Sequence, residues 1–126
     1  MNLQESGEMY LETILILSEK KNAVRSIDIC DEMGFSKPSI SRAIHLLEDG
    51  GYLEIDNNGF ITLTDIGREV AETIYERHTV LTEVFMSIGV DRETASEDAC
   101  RIEHVISDKT FQAIKKHIKK SKKTKK

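Results

Sequence analysis

The chain has 126 residues, 39% hydrophobic and 6% aromatic, about one average domain with a modest core. No apolar run approaches the roughly 20 residues needed to cross a bilayer, and the start MNLQESGEMYLE lacks the basic lead and small-residue cleavage site of a secretion signal. Formal net charge is −4, but the last twelve residues, KKHIKKSKKTKK, hold eight Lys, leaving residues 1–114 with ten basic against 22 acidic groups, a balance of −12; so acidic a body argues against indiscriminate polyanion binding.

In chain order, residues 5–20 carry Met9, Leu11, Ile14, Leu15, Ile16 and Leu17 in a near-helical distribution, which predicts a first helix broken at Lys20-Lys21-Asn22. Ser26 is the expected N-cap of a second helix, SIDICDEM, with Gly34 as its C-cap. Ser36 opens a third helix, with Pro38 tolerated in its first turn and Gly50-Gly51 ending it. Then YLEID and FITLT flank Asn57-Asn58-Gly59, which predicts a hairpin with Tyr52, Leu53 and Ile55 facing Phe60, Ile61 and Leu63. Asn and Gly both tolerate the positive φ of a tight hairpin turn. Thr64 or Asp65 caps a long helix over residues 65–88 that stops at Gly89. Asp91 starts another helix, and Ser107 or Asp108 starts a last one that runs into the lysines. That lysine-rich end reads as an unstructured solubilising tail, with a phosphate-seeking arm as the alternative.

Helix, helix, short turn, helix, hairpin is the order of a winged helix-turn-helix. In such a fold the third helix enters the major groove with its first residues at the base edges. Here these are Ser36, Lys37, Pro38, Ser39, Ser41 and Arg42, small hydroxyls and two cations, with Ile40, Ala43, Ile44 and Leu47 as the buried side. No acid falls between Lys37 and Leu47, although the surrounding segment is acidic. A phosphate-facing surface needs that relief. Hydroxyls at a helix start also serve simply as caps.

The stretch EDACRIEHVISD places Cys100 three and four residues before Glu103 and His104, on one face if the helix continues. Thiolate, carboxylate and imidazole together suit a divalent transition metal, and carboxylate-rich surroundings agree with a site awaiting a cation. The bland alternative is a solvated Glu103 and His104 beside a small buried Cys100. Cys30, on the second helix next to Ile27 and Met33, reads as a small core residue. His45 and His117 have no partner at ligand spacing. Two cysteines make no disulfide framework, so the chain reads as cytoplasmic with both thiols reduced.

GEMYLETI, FSKPSISRAIHLLEDGGYL, LTDIGREVA, YERH and DACRIEHVISD, in that order over about residues 5–112, resemble the DtxR/MntR family of metal-dependent transcriptional repressors. The resemblance implies a mainly α chain of the two-domain branch. Its parts would be a winged helix-turn-helix with a two-stranded β wing over residues 1–64, a helical metal-binding and dimerisation domain over 65–114, and the basic tail over 115–126. It implies a cytoplasmic homodimer that, loaded with Fe²⁺ or Mn²⁺, binds a palindromic double-stranded operator and represses metal-uptake genes. No membrane and no organic substrate enter this reading. Carried over residue by residue, the primary metal ligands would be Met9, Cys100, Glu103 and His104. Met9 and Cys100 match the iron sensors, where the manganese sensors carry carboxylates. Thioether and thiolate are softer, which favours Fe²⁺ over Mn²⁺, while Zn²⁺, Co²⁺ or Ni²⁺ can bind in vitro by affinity order alone. Glu12 and His78 would form a second site, with Glu103 bridging. Thr82 stands where the family has a carboxylate, and Ser96 where iron sensors have a histidine, so the iron-type ancillary site is expected to be lost or rebuilt. Two other classes compete: a metal-independent winged-helix regulator or protein-docking module, and a metalloenzyme. The last is disfavoured, since the sequence shows neither a nucleophile–base pairing nor a phosphate-cradling glycine loop.

Overall fold

The computed structural model describes residues 5–124, with side chains over residues 6–120. The elements run α1 (Glu5–Lys20), α2 (Ser26–Met33), α3 (Lys37–Asp49), β1 (Leu53–Ile55), β2 (Ile61–Leu63), α4 (Asp65–Ser87), α5 (Arg92–Ile102) and α6 (Asp108–Thr124). Two compact units part within α4, between Thr73 and Ile74. The sequence-based boundary at 64/65 marks the start of that helix.

In the first unit, the apolar stripes of three helices and the wing close on one core. Leu11 and Ile14 of α1, Ile29 of α2, Ile40 and Ile44 of α3, and Leu53 of β1 are all essentially inaccessible to water. β1 and β2 pair antiparallel with Leu53 opposite Leu63 and Ile55 opposite Ile61, which sends alternate side chains inward. Ile61 also donates its N–H to the Val24 carbonyl at 2.7 Å, so the α1–α2 connection supports the wing from its other edge. The hairpin loop differs from the expected tight turn. Gly59 alone there takes positive φ (84°), while the Asp56 carboxylate accepts the N–H groups of Asn58 and Phe60 at 2.8 and 2.9 Å. An acidic side chain thus organises the turn, and Asn58 needs no left-handed backbone.

Several helix ends follow the sequence. Gly34 (φ 72°) ends α2, Ser36 caps α3, Thr64 caps α4 by accepting the Gly67 N–H, and Asp91 caps α5. The α2 N-cap, however, is Arg25 and not Ser26. Asp28, three residues on, accepts the Arg25 N–H at 2.9 Å and pairs with Lys21, which fixes the start one residue earlier. Gly67 carries a second constraint that composition does not reveal. A Cβ there would lie 1.8 Å from the Tyr52 carbonyl oxygen, so the first turn of α4 rests directly on the backbone leading into β1.

In the second unit, Ile74 and Leu81 of α4, Ala95 and Ala99 of α5, and Phe111 and Ile118 of α6 are buried. Ser107 caps α6 by accepting the Thr110 N–H at 3.2 Å. The helix then continues to Thr124, so the lysine-rich end is helical through that residue instead of unstructured. Its last two lysines lie outside the described residues.

The hydrogen bond from Lys21, then that from the Arg25 N–H, hold the Asp28 carboxyl below the usual carboxylate range. A depressed value contributes stability above the ordinary carboxylate pKa, and that contribution is lost as pH falls through the folded value. Asp28→Ala should therefore cost about 1 kcal/mol, the usual worth of a cap, in urea unfolding at neutral pH. The gap between variant and wild type should close in acid.

Candidate metal centre and nucleic-acid interface

The start of α3 presents the predicted reading residues. Ser36, Lys37, Pro38, Ser39 and Arg42 are exposed, and Ser41 is half-buried. Ile40, Ile44 and Leu47 form the opposite, buried side, as the helical spacing requires. Ser36 Oγ accepts the Ser39 N–H at 3.4 Å and donates to Ser39 Oγ at 2.9 Å. These two hydroxyls therefore cap the helix while remaining at its surface. Lys37 and Arg42 supply the charge on this face.

The helix expected to carry Cys100, Glu103 and His104 together ends sooner than the sequence suggests. α5 stops at Ile102, and only Cys100 lies inside it. Glu103 is the C-cap with helical backbone angles (φ −58°, ψ −26°), its N–H still bonded to the Ala99 carbonyl, and His104 sits in the following turn.

Glu103 is fully buried. Its Oε2 lies 2.8 Å from Nδ1 of His78 on α4, and its Oε1 lies 3.3 Å from Nε2 of His104. The second nitrogen of His78 is 3.2 Å from Ser96 Oγ on α5. Removing a carboxylate from water costs several kcal/mol unless polar partners replace the lost hydration. Two imidazoles beside one buried carboxylate are donor types that suit a divalent transition ion, and the half-buried Cys100 lies three residues before Glu103 in the chain. His78 thus pairs directly with Glu103. Ser96, which leaves no histidine at that position, bonds His78. Thr82 is buried and donates its hydroxyl back to the His78 carbonyl at 2.7 Å, so it does not substitute for a carboxylate. Glu83, one step further round α4, lines a cleft of about 600 Å³ together with His78 and Ser96. Met9 and Glu12 belong to α1 in the first unit, half-buried and three residues apart on one helix face. Cys30 is half-buried against the first unit's core, and His45 and His117 are exposed.

Arg77 is the residue that spacing arguments miss. Its guanidinium donates to the carbonyls of Glu103 at 3.1 Å and Ile106 at 2.9 Å, lies 3.8 Å from Asp108, and stacks 5.5 Å above the Phe111 ring. One α4 side chain therefore caps the end of α5 and fixes the turn that presents Glu103 and His104. Its place beside His78 in YERH is the only sequence signal, and its partners lie 26 and 29 residues away. Arg77→Ala should destabilise the fold by about 2–3 kcal/mol, because two carbonyls lose charged donors. Differential scanning calorimetry measures this directly.

A winged helix-turn-helix followed by a helical unit with a buried carboxylate–imidazole cluster defines a DNA-binding regulator architecture with an effector unit attached. The family models agree on both parts: iron dependent repressor, N-terminal DNA binding domain, over residues 2–59, and iron dependent repressor, metal binding and dimerisation domain, over residues 64–125. The chain belongs to the DtxR/MntR family of metal-dependent transcriptional repressors, which are regulators and not enzymes. It is 29% identical over 123 residues to an uncharacterised HTH-type transcriptional regulator of Methanocaldococcus jannaschii, covering 95% of this chain and 98% of that one. It is 30% identical over 109 residues to the HTH-type transcriptional regulator MntR of Lysinibacillus sphaericus, covering 86% and 78%. The diphtheria toxin repressor of Corynebacterium diphtheriae is 28% identical over 119 residues, and there the chain spans only 53% of the relative. Among solved structures, the manganese regulator SloR superposes with a TM-score of 0.80 at 24% identity, covering 94% of this chain and 55% of that one. A manganese-dependent transcriptional repressor in complex with manganese gives 0.78 at 26% identity, covering 86% and 50%. The chain thus spans about half the length of several relatives and nearly all of others. No helix among the described residues is long and apolar enough to cross a membrane.

Proposed function

We propose that this chain is a metal-responsive repressor that binds a palindromic operator as a metal-loaded homodimer and controls metal-uptake genes. The observation that carries the reading is the fully buried Glu103, flanked by His78 and His104 at 2.8 and 3.3 Å. Met9, Cys100, Glu103 and His104 are the proposed primary ligands, with Glu12 and His78 as the donors of a second site. Iron is the first choice and manganese the second, because Met9 and Cys100 offer softer donors than carboxylates. A bound divalent cation supplies the positive charge that lets donors from separate segments share one centre. Arg77 holds the turn carrying Glu103 and His104, while Ser96 fixes the second nitrogen of His78. Ser36, Lys37, Pro38, Ser39, Ser41 and Arg42 are the proposed DNA contacts. The cell compartment that fits this reading is the cytoplasm.

Fluorescence anisotropy of a labelled operator fragment, recovered by selection from genomic DNA, tests the reading under anaerobic Fe²⁺, Mn²⁺ and Zn²⁺ in turn. Metal should tighten DNA binding by roughly 5- to 150-fold, the ordinary range for one effector. Glu103→Ala should abolish that response while circular dichroism shows the helices intact. Undiminished metal dependence in this variant would refute the assignment. DNA binding by the wild type that ignores chelation would favour a metal-independent winged-helix regulator.

A further inference from the structure

The first unit bears the proposed DNA-reading surface, yet up to Thr73 it holds six basic against 14 acidic residues. Phosphate contacts supply most sequence-independent affinity for DNA, and a unit so acidic has few cations to give them. The missing charge stands elsewhere in the chain. α6 buries Phe111 and Ile118 and half-buries Ile114, while Lys109, Lys116, Lys119 and Lys120 are exposed. At 100° per residue, Lys109, Lys116 and Lys120 share one stripe roughly 180° from the apolar one, and Lys123 continues the spacing. From Lys109 to Lys120 the stripe extends over about 16 Å of helix, the reach of several phosphates along a duplex.

We propose that the lysine stripe of α6 is a second DNA-contacting surface, which binds duplex phosphates without reading sequence. A lipid surface fits less well, because a helix lying on a membrane inserts its apolar face, and here Phe111 and Ile118 are already buried in the protein. Within α6, Lys115 is engaged with Glu76 at 2.7 Å and stands outside the stripe. The proposal rests on the DNA-binding reading, but concerns the part of the affinity that is independent of metal and operator.

The test compares full-length wild type with a K109Q/K116Q/K120Q/K123Q variant, both with Mn²⁺. Glutamine keeps helix propensity and removes charge. Anisotropy is measured on the operator fragment and on a random-sequence 30-bp duplex, about three helical turns, between 50 and 200 mM salt. Because each lost phosphate contact removes about 0.9 from the log–log salt slope, the variant's slope should be shallower by at least about two units on both duplexes. Its affinity at low salt should fall at least about tenfold on both, with the metal response of operator binding retained. Unchanged slopes would overturn the proposal. So would a variant whose duplex binding is intact while its binding to phosphatidylglycerol vesicles, or its self-association in sedimentation, is weakened. If wild type binds the operator only with metal while the variant matches it, the stripe is wrong and the regulatory reading survives. If wild type ignores metal while the variant loses salt dependence, the reverse holds.

Discussion

A carboxylate that water cannot reach organises the second unit. Glu103 has no exposed surface, and its two oxygens face imidazoles from different segments, His78 on α4 and His104 in the turn after α5. Such a group is tolerated only where its partners are held in place, because the cost of desolvation is recovered only at good geometry. Much of the surrounding architecture meets that requirement. Ser96 bonds the far side of His78, Thr82 is tied to the His78 backbone, and Arg77 fastens the carbonyls of Glu103 and Ile106. Fixed donors of this kind are what the proposed metal site requires, since ligand orientation and its supports set affinity as much as ligand identity does.

The first unit solves a different problem. Three short helices and a two-stranded wing have little surface to bury, so close approach and capping carry weight. Gly67 lets α4 rest on the Tyr52 carbonyl, and Thr64 joins Gly51 to the start of that helix through its hydroxyl, donating at 2.7 Å and accepting at 3.1 Å. The wing is braced by the Val24 bridge and by Arg25 stacking 4.5 Å over Phe60. This bracing leaves the opening turn of α3 projecting with its cations exposed, which suits a surface meant to meet a phosphate backbone.

Much of this was legible in the residues. The apolar spacing of α1 and α3, the caps at Ser36 and Asp91, and the hairpin around Asn57-Asn58-Gly59 each appear as local patterns, and local patterns survive folding when no tertiary contact opposes them. What escaped were features set by distant partners. Asp28 moves the start of α2 to Arg25, and Arg77 ends α5 without a glycine, so neither boundary has a signal at its own position. In the site, the family resemblance singled out Glu103 and His78 as candidates, whereas Ser96 as the partner of His78 depends on how α4 and α5 face each other within their unit. The helical continuation of α6 went unread because a lysine run has the composition of a solvated tail, while its Phe111, Ile114 and Ile118 stripe carries the opposite message.

Reciprocity gives the most direct measure of whether the Glu103 cluster is a regulatory cation site. If occupancy of that centre strengthens the hold on DNA, then DNA must strengthen the hold on the cation by the same factor. Calorimetric titration of Mn²⁺ into the wild-type protein, alone and saturated with operator duplex, compares the two affinities. The account predicts tighter Mn²⁺ binding on the duplex by the factor with which Mn²⁺ tightens DNA binding. Equal Mn²⁺ affinity in the two states would contradict it.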